Sequence, residues 1–292
     1  MRKLSLLTLI LVVACTTESG TTSTEPTPTT GTSTTPSVSP TSAASSTTAV
    51  EVGGCGDGGE MSEEGEVASA DGNASDAEQI GAITWETNPE CERFTIDLVT
   101  AQAAPATSVP AMSAELIRSS AVLRVFLDLE ATSVTDQLVQ SGLVDRIYIA
   151  RRADRSLFVD FHLSSPALAR VSVEESPGQV LVEFEPGGSE YDGLSAFAQN
   201  VVVITPTTGS VEVPTEIAGY SRNFEANTLA RISQGGTVLD EGFTTASDWV
   251  ETWGEYSLSL DPAGSGEAEL FVGEQSAQDG SDRGVVIEIE LP

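Results

Sequence analysis

From Val201 to Pro292 the chain alternates apolar and polar residues in short runs, and each run stops at turn chemistry. Phe224, Ala226, Thr228, Ala230 and Ile232 share one parity, as do Tyr256, Leu258 and Leu260, then Ala268, Leu270 and Val272, then Val285, Ile287, Ile289 and Leu291. Gly235-Gly236, Asp261-Pro262-Ala263-Gly264 and Asp279-Gly280-Ser281 separate them. A period of two places every second side chain on one face of a strand, so this block is a set of half-buried strands and not helices. About seven short strands spaced by turns predict an immunoglobulin-like sandwich. The expected fold class is therefore all-β, with two β-sandwich-like domains, the second immunoglobulin-like, after a disordered N-terminal linker.

The same pattern, less regular, runs from Ile80 to Glu190. Phe94, Ile96 and Leu98 alternate; Val125, Leu127 and Leu129 oppose Val122, Arg124, Phe126 and Asp128. Residues 143–150 and 156–163 flank the polar turn 151–155, and Val171–Val173 and Val180–Phe184 flank Ser176-Pro177-Gly178, so two hairpins are expected. One helix is expected over Ser133–Ser141, between a Ser/Thr cap and Gly142.

The chain begins differently. Arg2 and Lys3 precede the apolar run Leu4–Ala14, too short to span a bilayer and suited to a signal peptide. It ends in Val12-Val13-Ala14-Cys15, which resembles the bacterial lipobox; the resemblance implies cleavage after residue 14 and a lipid on Cys15, hence a membrane partner through that lipid and an extracytoplasmic location. Thr16–Val50 holds 14 Thr, 8 Ser and 4 Pro and leaves almost nothing to bury. It reads as a spacer with a random-coil reach of roughly 30–35 Å. Glu51–Gln79 is acidic and glycine-rich and extends the expected linker over 15–79. Its Asp71–Asp76 stretch lacks the Gly and Glu that a calcium loop needs at its sixth and twelfth positions. With Cys15 assigned to the lipid, Cys55 and Cys91 remain. In an oxidising compartment they read as one disulfide; two free thiols are the alternative. Two cysteines and His162, the one histidine, are too few for a metal site.

The charge balance is 13 basic against 44 acidic residues, net −31. Such a surface repels nucleic acid and anionic lipid, so neither is an expected direct partner. Within it, Arg146, Arg151, Arg152 and Arg155 gather at one hairpin, an arrangement suited to carboxylate or phosphate groups of wall polymers. Pairing with Asp145, Asp154 and Asp160 is the competing reading. Trp249 and Trp253 bracket an acidic loop and form a candidate sugar-stacking pair; covering the sandwich edge is the alternative. His162 alternates with Phe158 and Asp160 and is expected on the surface. Phe224 is expected to plug the core, and Glu225 to accept backbone amides. No catalytic residue, cofactor or metal is assigned. A glycan hydrolase using a carboxylate pair is the competing function, recognisable by a cleft with carboxyls about 5–9 Å apart.

Two further resemblances carry the functional expectation. Asp145–Ile149, Leu157–Phe161 and Glu175–Gly178 together resemble the AMIN-type β-domain that precedes amidases in bacterial envelopes, which implies a module (80–190) that localises its owner at the wall. Ile204-Thr205-Pro206, Gly209, Val213-Pro214, Gly219, Asn223–Asn227, Gly242 and Ser276–Ser281 resemble the immunoglobulin-like domain of spore-germination-type lipoproteins over 200–292. The implied protein is a non-enzymatic, lipid-anchored envelope component that binds or scaffolds, with peptidoglycan or envelope proteins as partners.

Overall fold

Alternation at Glu92–Val99 becomes a strand whose Phe94, Ile96 and Leu98 are buried while the residues between them are half-buried. The same conversion is repeated along the computed structural model, which describes Cys55 and residues 59–72, 74–276 and 278–292. The signal segment, Cys15 and the Thr/Ser/Pro tract lie outside the described residues. The N-terminal lobe comprises β1 (Gly65–Ala70), β2 (Gln79–Thr87), β3 (Glu92–Val99), β4 (Met112–Ile117), β5 (Val122–Leu127), β6 (Ala131–Thr132), β7 (Asp136–Leu138), β8 (Val144–Arg151), β9 (Leu157–Leu163), β10 (Ala167–Glu174) and β11 (Gln179–Pro186). The C-terminal lobe comprises β12 (Ala196–Ala198), β13 (Val201–Thr205), β14 (Gly209–Ser210), β15 (Thr215–Ser221), β16 (Asn227–Gln234), β17 (Thr237–Thr245), β18 (Trp253–Leu260), β19 (Gly266–Gln275) and β20 (Asp282–Leu291). Both lobes belong to one compact unit, Glu51–Pro292.

Three sheets build two sandwiches. A ten-stranded sheet runs β1-β4-β5-β9-β8-β18-β15-β13-β12, with β7 beside β8. The sheet β10-β11-β3-β2-β6 covers its N-terminal half, and β14-β20-β19-β16-β17 covers its C-terminal half. Phe94, Phe161 and Phe184 meet edge-on in the first core, with ring centroids 5.3–5.9 Å apart. Ile217, Ile232, Tyr256, Leu270 and Ile287 lie in the second. The halves of the long sheet are joined where β8 and β18 pair in parallel, Trp253 with Ala150 and Gly254 with Arg151. Val122, Tyr148, Ala150 and Phe158 then meet Val202, Ile204, Tyr220 and Trp253 in a third apolar cluster between the lobes.

Several expectations are realised directly. The hairpins are β8–β9 and β10–β11. Cys55 and Cys91 form a disulfide with Cα atoms 5.3 Å apart, closing the 36-residue interval between them. Such a crosslink contributes up to about 4 kcal/mol by restricting the unfolded chain. Beside it Glu183 is held by Arg93 at 2.7 Å and Arg170 at 2.5 Å.

Two expectations are corrected. Residues 65–70, assigned to the linker, form β1 and pair with β4. The acidic strip is further tied down by Asp76, whose Oδ1 accepts the amides of Thr107 at 2.9 Å and Ser108 at 3.1 Å. The Thr107 amide and the Ser108 hydroxyl hold the Asp76 carboxyl below its ordinary range. The helix expected over Ser133–Ser141 is absent: β7 pairs with β8, setting Gln137 opposite Ile147. The Ser133 amide donates to Ile80 O at 2.8 Å, so Ser133 starts no helix. Ser141 Oγ instead binds Glu92 Oε2 at 2.5 Å.

Gly219 lies inside β15. A Cβ there would stand 2.0 Å from Val202 O and 2.9 Å from the Tyr256 hydroxyl, so β13 can approach only a glycine. Gly219→Ala should therefore part β13 from β15 and destabilise the protein by roughly 3 kcal/mol in denaturant unfolding; a wild-type midpoint would mean that the strands separate without cost.

Candidate functional site

The two groups of residues singled out in the sequence meet one another. The Arg151 guanidinium enters the seam between the lobes, with Nε 2.9 Å from Asp248 Oδ2, Nη2 2.8 Å from Glu251 Oε2 and Nη1 2.7 Å from the carbonyl of Glu130. Asp248 Oδ1 in turn accepts the amides of Trp249, Val250 and Glu251 and so shapes the acidic loop. Burial pushes the Asp248 carboxyl up, but the Val250 amide and Arg151 outweigh it and leave the group below its ordinary value. Arg151 is thus a buried strut and not an arginine open to an external anion.

Its companions point to partners of their own. Arg146 binds Asp145 at 2.6 Å and lies 3.5 Å over the Phe197 ring; Arg152 binds Asp154 at 3.1 Å; Arg155 binds Glu130 at 2.9 Å. Asp160, the third acid considered for this hairpin, is taken by Arg124 instead. Trp253 is corrected likewise. It is buried against Tyr148, with ring centroids 4.7 Å apart, and its indole N–H donates to Asp136 at 3.2 Å. Only Trp249 stays partly exposed, edge-on to Phe224 at 5.6 Å.

Sequence reasoning missed a polar chain beneath the seam. Every residue of β9 is buried. Leu157, Val159, Phe161 and Leu163 face the first core, whereas Phe158 joins the cluster between the lobes and His162 reaches Tyr220 of β15. Arg124 grips Asp160 with two bonds, Nε–Oδ1 at 2.8 Å and Nη2–Oδ2 at 2.7 Å, and lies 4.0 Å over the Phe158 ring. The Tyr220 hydroxyl bonds His162 Nε2. His162 Nδ1 lies 2.6 Å from Ser195 Oγ. Burial pushes the Asp160 carboxyl up and Arg124 opposes it. Burial, and then the charges of Arg124 and Arg146, bring His162 down to about 3. The surface histidine expected from alternation is therefore a neutral, buried one. Beside Ser195 it resembles a nucleophile–base pair in outline only, because a base with so low a pKa takes a serine proton poorly.

The exposed end of the C-terminal sandwich holds a second correction. Asn223 is buried, and its Nδ2 donates to Gly273 O at 3.2 Å. The chain then turns through Glu225 (φ 55°) and Ala226 (φ 60°), two consecutive left-handed residues that are not glycine. Each such residue costs about 1–2 kcal/mol. Ala226 is buried as its parity predicts, but the turn leaves Phe224 65% exposed, so Phe224 is no core plug. The amide of Phe224 is held by Glu274 Oε2 at 3.0 Å, a role that the sequence had suggested for Glu225.

Comparison with known families bears on this half of the chain. Residues 200–281 match the immunoglobulin-like domain of bacterial spore germination. No curated protein and no solved structure matches the chain. The matched stretch contains Tyr220, Trp253 and the Phe224 turn, so the immunoglobulin-like domain supplies one side of the seam and the Phe224 turn. Strand β20 lies beyond it, yet Val285, Ile287, Ile289 and Leu291 complete the core of the sandwich.

Two outcomes follow for the seam. Arg124→Ala would leave Asp160 buried without its cation, and should cost about 3–5 kcal/mol in chemical denaturation; a loss below about 1 kcal/mol would show that Asp160 does not need it. For His162 the unfolded chain binds more protons between about pH 6.5 and 3, so stability rises with pH across that window. It should fall on acidification by up to about 1.4 kcal/mol per pH unit. His162→Gln should flatten that slope, and an unchanged slope would assign it to other groups.

Proposed function

We propose that this protein is a non-catalytic, lipid-anchored component of a bacterial cell envelope, and that it binds or scaffolds at the wall or with envelope partners. The observation that carries this reading is the seam. Arg151 with Asp248 and Glu251, and Tyr220 with His162, hold the two lobes as one body of fixed outline. Strong charges of the kind that catalysis exploits are here neutralised by one another. A rigid body whose buried polar groups are spent on one another suits the presentation of a surface rather than the turnover of a substrate.

The Arg2–Cys15 pattern and the polar tract after it supply the anchor and the spacer in this reading. The AMIN-like strand pattern of the N-terminal lobe favours the wall as the place of work. The immunoglobulin-like domain would then be held beyond it, as such domains commonly serve binding. Its family description names spore germination, and a role there is not needed for the proposal.

Fractionation of cells expressing the full chain tests the anchor. Wild type should sediment with membranes, and Cys15→Ala should move to the soluble extracytoplasmic fraction or remain as unprocessed precursor of higher mass. Identical mass and partition of the two would defeat the lipid assignment. Wall contact is tested by co-sedimentation with purified peptidoglycan. The variant Arg146→Ala/Arg152→Ala/Arg155→Ala spares the Arg151 strut, and it should be retained less than wild type; equal retention would remove this hairpin as the contact.

A further inference from the structure

We propose that the end of the immunoglobulin-like domain opened by Phe224 is a docking groove for an extended peptide segment that carries an apolar side chain beside a carboxylate. This rests on the reading of the chain as a binding protein and names the surface it would use.

The groove encloses about 670 Å³ between Phe224, Phe243, Glu274 and Arg283, with buried Leu229 among its walls. Leu229 and Phe243 are cross-strand partners on β16 and β17. Phe243 is 68% exposed, and Trp249, edge-on to Phe224, extends the apolar rim beside an exposed Val250. Large apolar side chains gathered at one place on a soluble surface mark an interaction site. The backbone makes the case specific. Phe224 is held outward by a turn with two left-handed residues, and the turn is locked by Asn223 on Gly273 O and by Glu274 on the Phe224 amide. A sequence under selection for stability alone would relieve that strain, and strain retained in this way is a mark of function.

The charge chemistry selects the occupant. Eight described arginines have a carboxylate within ion-pair distance. Arg283, in the groove, has no carboxylate within ion-pair distance among the described residues, as is also true of Arg118 and Arg222, and Asp279 feels its charge from farther away. Its cross-strand neighbour Glu274 is turned to the Phe224 amide instead. An arginine fork left open beside two phenyl rings suits a carboxylate attached to an apolar group. A polyanion or an anionic membrane would meet the repulsion of Glu274 and of the net −31, so a single carboxylate fits better. A second copy of this chain brings the same net charge and is disfavoured on the same ground.

The test uses isotope-labelled full chain and two probes, N-acetyl-Leu-Phe with a free carboxylate and the same dipeptide as its carboxamide. The free acid should shift the amide resonances of Phe224, Phe243 and Arg283, and should bind about tenfold more tightly than the carboxamide, as one charge-assisted pair allows. Arg283→Gln should abolish the preference and keep the weaker binding. Phe224→Ser should abolish binding of both probes with an unchanged unfolding midpoint. Equal affinity for the two probes in wild type, a preference that survives Arg283→Gln, shifts confined to other surfaces, or no shift at millimolar probe would each overturn the proposal. So would self-association through Phe224, seen by sedimentation and lost in Phe224→Ser. The titration does not depend on Cys15 or on wall binding, so its failure is separable from failure of the anchor or the wall contact.

Discussion

A carboxylate removed from water must find a cation or take up a proton, and Asp160 finds Arg124. That pair sits on adjacent strands of the N-terminal lobe, beside the aromatic cluster in which Phe158 meets Tyr220 of the C-terminal lobe. The two lobes depend on each other here. Without the second lobe, Asp160 and His162 would stand in solvent on the face of β9. Without the first, Tyr220 and Trp253 would be exposed aromatics on β15 and β18. The seam therefore couples the folding of the two lobes, and the pairing of β8 with β18 gives the coupling a backbone.

Polar groups at this seam define one arrangement where apolar contact alone would permit several. The ring cluster of Tyr148, Phe158, Tyr220 and Trp253 supplies the burial. Arg151 and Tyr220 determine orientation, because a guanidinium fork and a phenol have their partners in particular directions. Removing one partner leaves the other desolvated, which makes a misaligned seam expensive. The acid excess of the chain is compatible with this architecture, since the arginines within the seam are matched locally, and most described acids outside it are exposed, Glu92 and Glu183 being buried with partners of their own.

The Phe224 turn follows an opposite principle. There the backbone adopts an unfavourable conformation and exposes an aromatic ring, and hydrogen bonds from Asn223 and Glu274 hold it so. The protein buries Asp160 and His162 with partners while holding Phe224 in solvent against Trp249, on the same loop whose Asp248 and Glu251 bind Arg151. The interior of the seam maintains shape, and the Phe224 turn beside that loop offers contact.

Alternation and turn chemistry alone determined the strands at Glu92–Val99, Val144–Arg151, Leu157–Leu163 and most of 201–291, because a period of two reports a half-buried strand through local geometry. The disulfide was legible from the leftover pair of cysteines and the inferred compartment. What the pattern could not report was the fate of the outward face. In β9 the residues Phe158, Asp160 and His162 have the parity of solvent-facing positions, and they are buried because a second lobe lies over them. Arg151 and Trp253 read as surface contacts for the same reason, and proved to be contacts between lobes. The alternation held for Ala226, Thr228, Ala230 and Ile232 and failed only at Phe224, because the left-handed residues Glu225 and Ala226 turn the chain and take Phe224 out of the strand. Parity along a strand is a property of the chain, whereas water or protein beyond that face is decided by which distant segments pack there, and only the tertiary structure contains that information.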